Sequence, residues 1–125
     1  MTAGQARKGF DIDLLDGVAR EEAFARLLVR ARFEHKRDES CIKTGNLFIE
    51  YESRGRPSGI AVTTADWWAF EYQPISWLVL PTDKLKSYAR RAYQTGKVIL
   101  GGDNDTSKGV LVPITWLVAP AEREA

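Results

Sequence analysis

Apolar and polar positions change their spacing several times along the chain, and each change predicts an element. "FDIDLL", Phe10 to Leu15, alternates apolar and acidic residues, the spacing of a strand with one buried face. Asp16–Gly17 reads as the break after it, with Asp16 as the N-cap of a helix. In "VAREEAFARLLVR" the residues Ala19, Ala23, Phe24, Leu27 and Leu28 form one stripe at helical spacing. At about 100° per residue, Glu21 lies at the border of that stripe and Glu22 points away from it. "ARFEHKRD" and "GNLFIEYES" read as strands joined by the polar turn "ESCIKT", and "SRGRPSG" as a loop. "IAVTTAD" is ambiguous, with a short helix as one reading. "WWAFEYQ" and "ISWLVLP" are aromatic and β-branched, the composition of central strands. "TDKLKSYARRAYQTG" predicts a helix with Thr82 as cap and Gly96 as stop. "KVILGGDNDTSKGVLVPITWLV" gives a short strand, a Gly/Asp loop and a late extended piece. This order predicts a mixed β-sheet flanked by helices, of the α/β or α+β kind, in a single domain over 1–125 with flexible ends at 1–9 and 121–125.

Composition narrows the chemistry. Hydrophobic residues are 44% and charged residues 28%, as in ordinary globular proteins. No apolar run approaches the roughly 18 residues of a membrane span, and no apolar stretch follows Arg7 and Lys8 as it would in a signal peptide. One cysteine and one histidine exclude an intrachain disulfide and the usual zinc sites. The expected location is the cytoplasm, with no membrane partner. A net charge of +1 does not forbid nucleic acid, because a cluster of acids offsets basic residues in the sum.

The charged positions of the two middle strands carry the candidate chemistry. A hairpin through the turn around Cys41 would set Glu34 and Lys36 across from Glu50 and Glu52. Period-two geometry keeps Glu34, Lys36 and Asp38 on one face, and likewise Glu50 and Glu52. Like charges directly opposite repel, and a divalent cation would offset that. Oxygen-only ligands suit Mg²⁺ or Mn²⁺. Glu21, Glu34, Asp38 and Glu50 are the candidate ligands. Lys36 is the candidate for orienting an activated water and stabilising charge on a phosphate. The plainer alternative is a solvated sheet face with surface ion pairs worth at most about 1 kcal/mol each. Arg37, Lys43, Thr44, Asn46, Arg54, Arg56 and Ser58 flank the same place, and such residues commonly hold phosphates. For the loop, a solvated turn is the competing reading.

"FEHKRD" resembles the E-x-K strand of the PD-(D/E)XK nuclease superfamily. The ordered string "FEHKRD…KTGNLFIEYESRGRPSGI…TTADWWAF" is similar to its small phage-type and prophage-type members. The resemblance covers about residues 10 to 75. It implies a restriction-endonuclease-like fold and Mg²⁺-dependent hydrolysis of DNA phosphodiester bonds. Duplex or branched DNA is the expected substrate, with structure-specific cutting of branched or junction DNA as one reading, in phage or prophage recombination, repair or replication in the host cytoplasm. Many small members act as homodimers. Two mappings stay open. In one, Glu21 matches the helix acid, with Glu34 and Lys36 the E-x-K pair. In the other, Glu34 or Asp38 is the first-strand acid, Glu50 to Glu52 the second motif, and Lys36 serves from the neighbouring strand. The usual Asp strand between the helix and E-x-K is missing here, since "FDIDLL" precedes the helix.

Other residues have plainer readings. Asp11 and Asp13 suit an edge strand kept from aggregating. His35, opposite Glu34 in facing, suits a partly buried structural role. Trp67, Trp68 and Trp77 suit a core rather than base stacking. Arg90, Arg91 and Lys97 suit a solvated helix face. "GGDNDTSKG" lacks EF-hand spacing and reads as a hairpin loop. Beside the nuclease stand two other classes: a nucleic-acid-binding module that keeps the fold without cutting, and a structural or assembly protein.

Overall fold

The structure is a computed structural model that describes residues 3–38, 40–73 and 76–118. The chain divides into two compact units, the first ending at Ala31 and the second beginning at Arg32. The first unit is a single helix, α1 (Ala3–Leu28). The expected strand at Phe10 to Leu15 and the break at Asp16–Gly17 are therefore corrected. Phe10, Leu14 and Val18 are spaced four apart as well as fitting an alternation, so the segment satisfies both periods. Asp16 caps nothing. Its carboxylate pairs with Arg20 one turn on, at 2.8 Å, which supports the helix through the position of the expected break.

The second unit is of the α+β kind. Its elements are β1 (Phe33–Arg37), α2 (Cys41–Thr44), β2 (Asn46–Ser53), β3 (Arg56–Pro57), β4 (Trp67–Gln73), β5 (Ser76–Pro81), α3 (Thr82–Gln94), β6 (Val98–Gly101), β7 (Ser107–Pro113) and α4 (Ile114–Val118), with 3₁₀ turns at Gly59–Ala61 and Asp103–Asp105. They form two sheets, ordered β1-β4-β5 and β3-β2-β7-β6. The expected β1–β2 hairpin is absent. β1 pairs in parallel with β4, and β2 pairs antiparallel with β7 and β3. The turn between β1 and β2 is used by α2, and β4 offers β1 an aromatic neighbour: Glu34 stands beside Trp68 and Lys36 beside Phe70. "WWAFEYQ" is central as expected, whereas "ISWLVLP" is an edge strand. Trp68 is buried and Trp67 half-buried, but Trp77 on β5 is 51% exposed, which corrects its assignment to the core.

One apolar cluster joins both sheets. Leu47 and Ile49 of β2, Val110 and Val112 of β7, and Trp68, Phe70 and Leu80 of the other sheet meet Leu85, Ala89 and Ala92 of α3. Thr82, Leu85, Ala89 and Ala92 are buried at three- and four-residue steps, the stripe that a helix packed on sheets requires. Thr82 does not cap its own helix. It donates its hydroxyl to the Ala65 carbonyl at 2.7 Å, fixing the start of α3 to the approach to β4. Gly96, with φ of +79°, ends the helix as expected. Among the described residues no helix is long and apolar enough to cross a membrane.

Candidate active site

Glu34 and Lys36 alternate with His35 and therefore share the face of β1 that adjoins Trp68 and Phe70. That is the inward face of the sheet, where apolar side chains are the rule. A charged pair there is the feature that needs explaining. Lys36 Nζ lies 3.0 Å from Glu34 Oε1 and 5.5 Å from the centre of the Trp68 ring. Both side chains remain partly open, at 43% and 41%, so water keeps their charge affordable. His35 faces the other way. It is exposed, with Nε2 3.1 Å from Glu71 and 3.4 Å from the Trp77 ring nitrogen, so its expected partial burial is corrected.

Lys36 opens into a concavity of about 790 Å³. Arg37, Asp38, Thr44, Asn46 and Glu50 line it too, as do Phe48, Gly59 and Trp68. Both sheets contribute, so two strands that do not pair still deliver a lysine and two acids to one space. The floor is the face of β2 and β7 that carries Asn46, Phe48, Glu50 and Leu111. The indole N–H of Trp68 is buried and has no acceptor among the described residues.

Asp38 works mainly as a tie. One carboxylate oxygen accepts from the Ser40 amide and hydroxyl at 3.2 and 2.8 Å, and the other from the Phe48 amide at 3.1 Å. This fastens the end of β1 to the start of β2. Thr44 and Asn46 form the turn between α2 and β2, bonding mainly to each other's main chain, with Gly45 in the left-handed conformation at the helix end. Their position in the pocket wall is thus set by a capping turn.

The loop expected to hold phosphate instead holds Glu50. Arg54 and Gly55 make a two-residue hairpin turn with φ of +51° and +79°, the twist that suits adjacent antiparallel strands. The chain then returns so that Ser58 donates its hydroxyl to Glu50 Oε2 at 2.9 Å and its amide to the Tyr51 carbonyl at 3.0 Å. Gly59, with φ of +52°, sits so close that a Cβ would overlap the Glu50 carbonyl. Lys43, Arg54 and Arg56 are exposed and lie outside the pocket wall.

Glu50 and Glu52 do not share a face, contrary to the alternation. Glu50 is opposite Gly109, but Glu52 is opposite Lys108, so Tyr51 is an extra residue in the ladder. Across an antiparallel pair opposite residues share a face, and Lys108 and Gly109 are on different faces. Glu52 accordingly pairs with Lys108 at 3.4 Å on the α3 side. Glu21 lies exposed on α1, in the first unit.

Reasoning from charge and spacing missed Phe48, Gly59, Trp68, Gly101 and Gly109. Gly101 and Gly109 have a readable signal only in hindsight of the pairing: the Phe48 ring lies against both, where a side chain would collide.

Among the described residues no group of three or more His, Cys, Asp or Glu side chains is placed to hold a metal ion. The pocket's acidic donors are the carboxylates of Asp38 and Glu50, beside the hydroxyl and amide oxygens of Ser40, Thr44 and Asn46, and Mg²⁺ commonly takes one or two carboxylates with waters and substrate phosphate. No family model matches the chain, and no curated protein or solved structure matches it.

Proposed function

We propose that the concavity between the two sheets is the active site of a small Mg²⁺- or Mn²⁺-dependent nuclease of the PD-(D/E)XK type, acting on DNA. The observation that carries this reading is the Glu34–Lys36 pair on the inward face of a sheet, whose lysine lines a pocket shared with Asp38 and Glu50 while Glu34 stands behind it, outside the lining. Glu34 and Glu50 would hold the cation, each using the carboxylate oxygen not engaged by Lys36 or Ser58. A divalent cation there supplies positive charge to the scissile phosphate. Lys36 orients the attacking water and stabilises the negative charge that builds on the phosphoryl oxygens. The water oxygen bonds to phosphorus and gives up a proton to solvent, the bond to the departing sugar oxygen breaks, and that oxygen takes a proton from solvent as it leaves. Asp38 ties the end of β1 to the start of β2 and so fixes the two walls that carry Lys36 and Glu50.

Lack of a preassembled three-acid group among the described residues favours a second reading, a module that binds nucleic acid and does not cut. One experiment separates them. Labelled linear duplex, fork, flap and junction DNA are incubated with the protein and Mg²⁺ or Mn²⁺, with EDTA as control. The nuclease reading expects cutting that EDTA stops. Glu34→Ala, Lys36→Ala and Glu50→Ala should lower it by about 10²-fold or more, as for other charge-stabilising groups. Glu52→Ala, on the other face, should cut as the parent does. No cleavage of any substrate by folded protein, with DNA still retarded in a gel, would establish the second reading instead.

A further inference from the structure

The opposite face of β2 borders a second cavity, of about 580 Å³, between that strand and α3. Ile60, Ala89 and Val110 give it an apolar floor. Tyr51 and Tyr93 stand over it edge to face, with ring centres 5.9 Å apart and planes at 85°. Lys86 and Arg90 are four residues apart on α3 and so reach its rim from one side of the helix. No acidic residue lines the cavity. Neither Lys86 nor Arg90 has an ion-pair partner among the described residues, whereas the adjoining Arg91 lies 4.0 Å over the Trp116 ring.

We propose that this cavity binds an unpaired nucleotide, its base against the two tyrosines and its phosphate on Lys86 and Arg90. The volume lies in the range of small-ligand pockets. Aromatic faces accept any base without sequence preference, and two cations at the rim with no acid in the lining suit an anion. Neither half of the lining explains the other: a purely apolar guest leaves the cations unmatched, and a bare anion leaves the tyrosines idle. A nucleoside monophosphate matches both, whether free or at the end of a single strand. The inference does not depend on cutting at the other pocket, because the two lie on opposite faces of β2.

The test is a titration of dTMP into the isotopically labelled full chain, followed by amide NMR. Thymidine and inorganic phosphate serve as half-ligands. Shifts should centre on Ala61, Ala89, Tyr93 and Gln94, and neither half-ligand should reproduce them at equal concentration. Arg90→Glu and Tyr93→Ala change exposed positions and should each weaken binding about tenfold while the spectrum stays folded. A 5′-phosphorylated oligo-dT that binds there more tightly than dTMP assigns the site to strand ends; the reverse order assigns it to the free nucleotide. Lys36→Ala should bind dTMP unchanged, which separates this result from the fate of the nuclease reading. No shifts at these residues, equal shifts with phosphate alone, or unaltered binding by Arg90→Glu would overturn the proposal.

Discussion

Cys41 shows how a residue's surroundings override its intrinsic chemistry. It is fully buried at the start of α2, with its thiol 3.9 Å from the Glu71 carbonyl. Burial, and after it the negative charge of Asp38, push its pKa upward, against a smaller opposing main-chain hydrogen bond. The folded state therefore favours the neutral thiol. Its contribution to stability is fully present below the unfolded thiol's pKa and is lost as pH rises through the higher folded value. Two outcomes follow: alkylation by iodoacetamide is slow until the chain unfolds, and the urea midpoint declines at alkaline pH less in Cys41→Ser than in the parent. Rapid labelling of the native protein at pH 8 would contradict this burial. At this scale the shared face of Glu34 and Lys36 is legible in their alternation along β1. The surroundings of Glu50 are not legible in this way, because they are made by Ser58 and Gly59, eight and nine residues on, through a return of chain that has no periodic signature.

Elements were legible where only one period fitted. β4, β5 and α3 stand where their apolar spacing put them. "FDIDLL" fitted two periods, and the longer run of good helix formers after it decided for the helix. Gly17 tests that outcome. It sits inside α1 with open space where its side chain would be. Gly17→Ala should therefore add up to about 1 kcal/mol of helix stability and raise the signal at 222 nm. A strand or a turn at Asp16–Gly17 would give no gain, or a loss. The pairing of β1 was not legible either. Neighbouring strands in sequence commonly pair, and the choice of β4 over β2 depends on apolar partners some thirty residues away.

On the scale of the whole molecule, the class of fold was readable from the order of elements, but the division into units was not. Leu85 is the side chain on which the second unit's unity can be examined. It is fully buried, on the helix whose neighbours include β4, β5 and β7. Leu85→Ala should cost about 2–5 kcal/mol and move the unfolding of both sheets together in urea. Two separate transitions, read by Trp fluorescence and by far-ultraviolet circular dichroism, would mean that the sheets are held by different contacts.

The extra residue at Tyr51 resets the phase of β2 after its first five residues. Three consecutive letters, Glu-Tyr-Glu, consequently feed two sides of one ribbon: an acid to the first concavity, an aromatic ring to the second, and an acid to the lysine beside it. Exchanging the identities of these residues leaves that distribution in place. Only a change in how many residues the strand contains can undo it, so here the count of residues sets the arrangement and their chemistry does not.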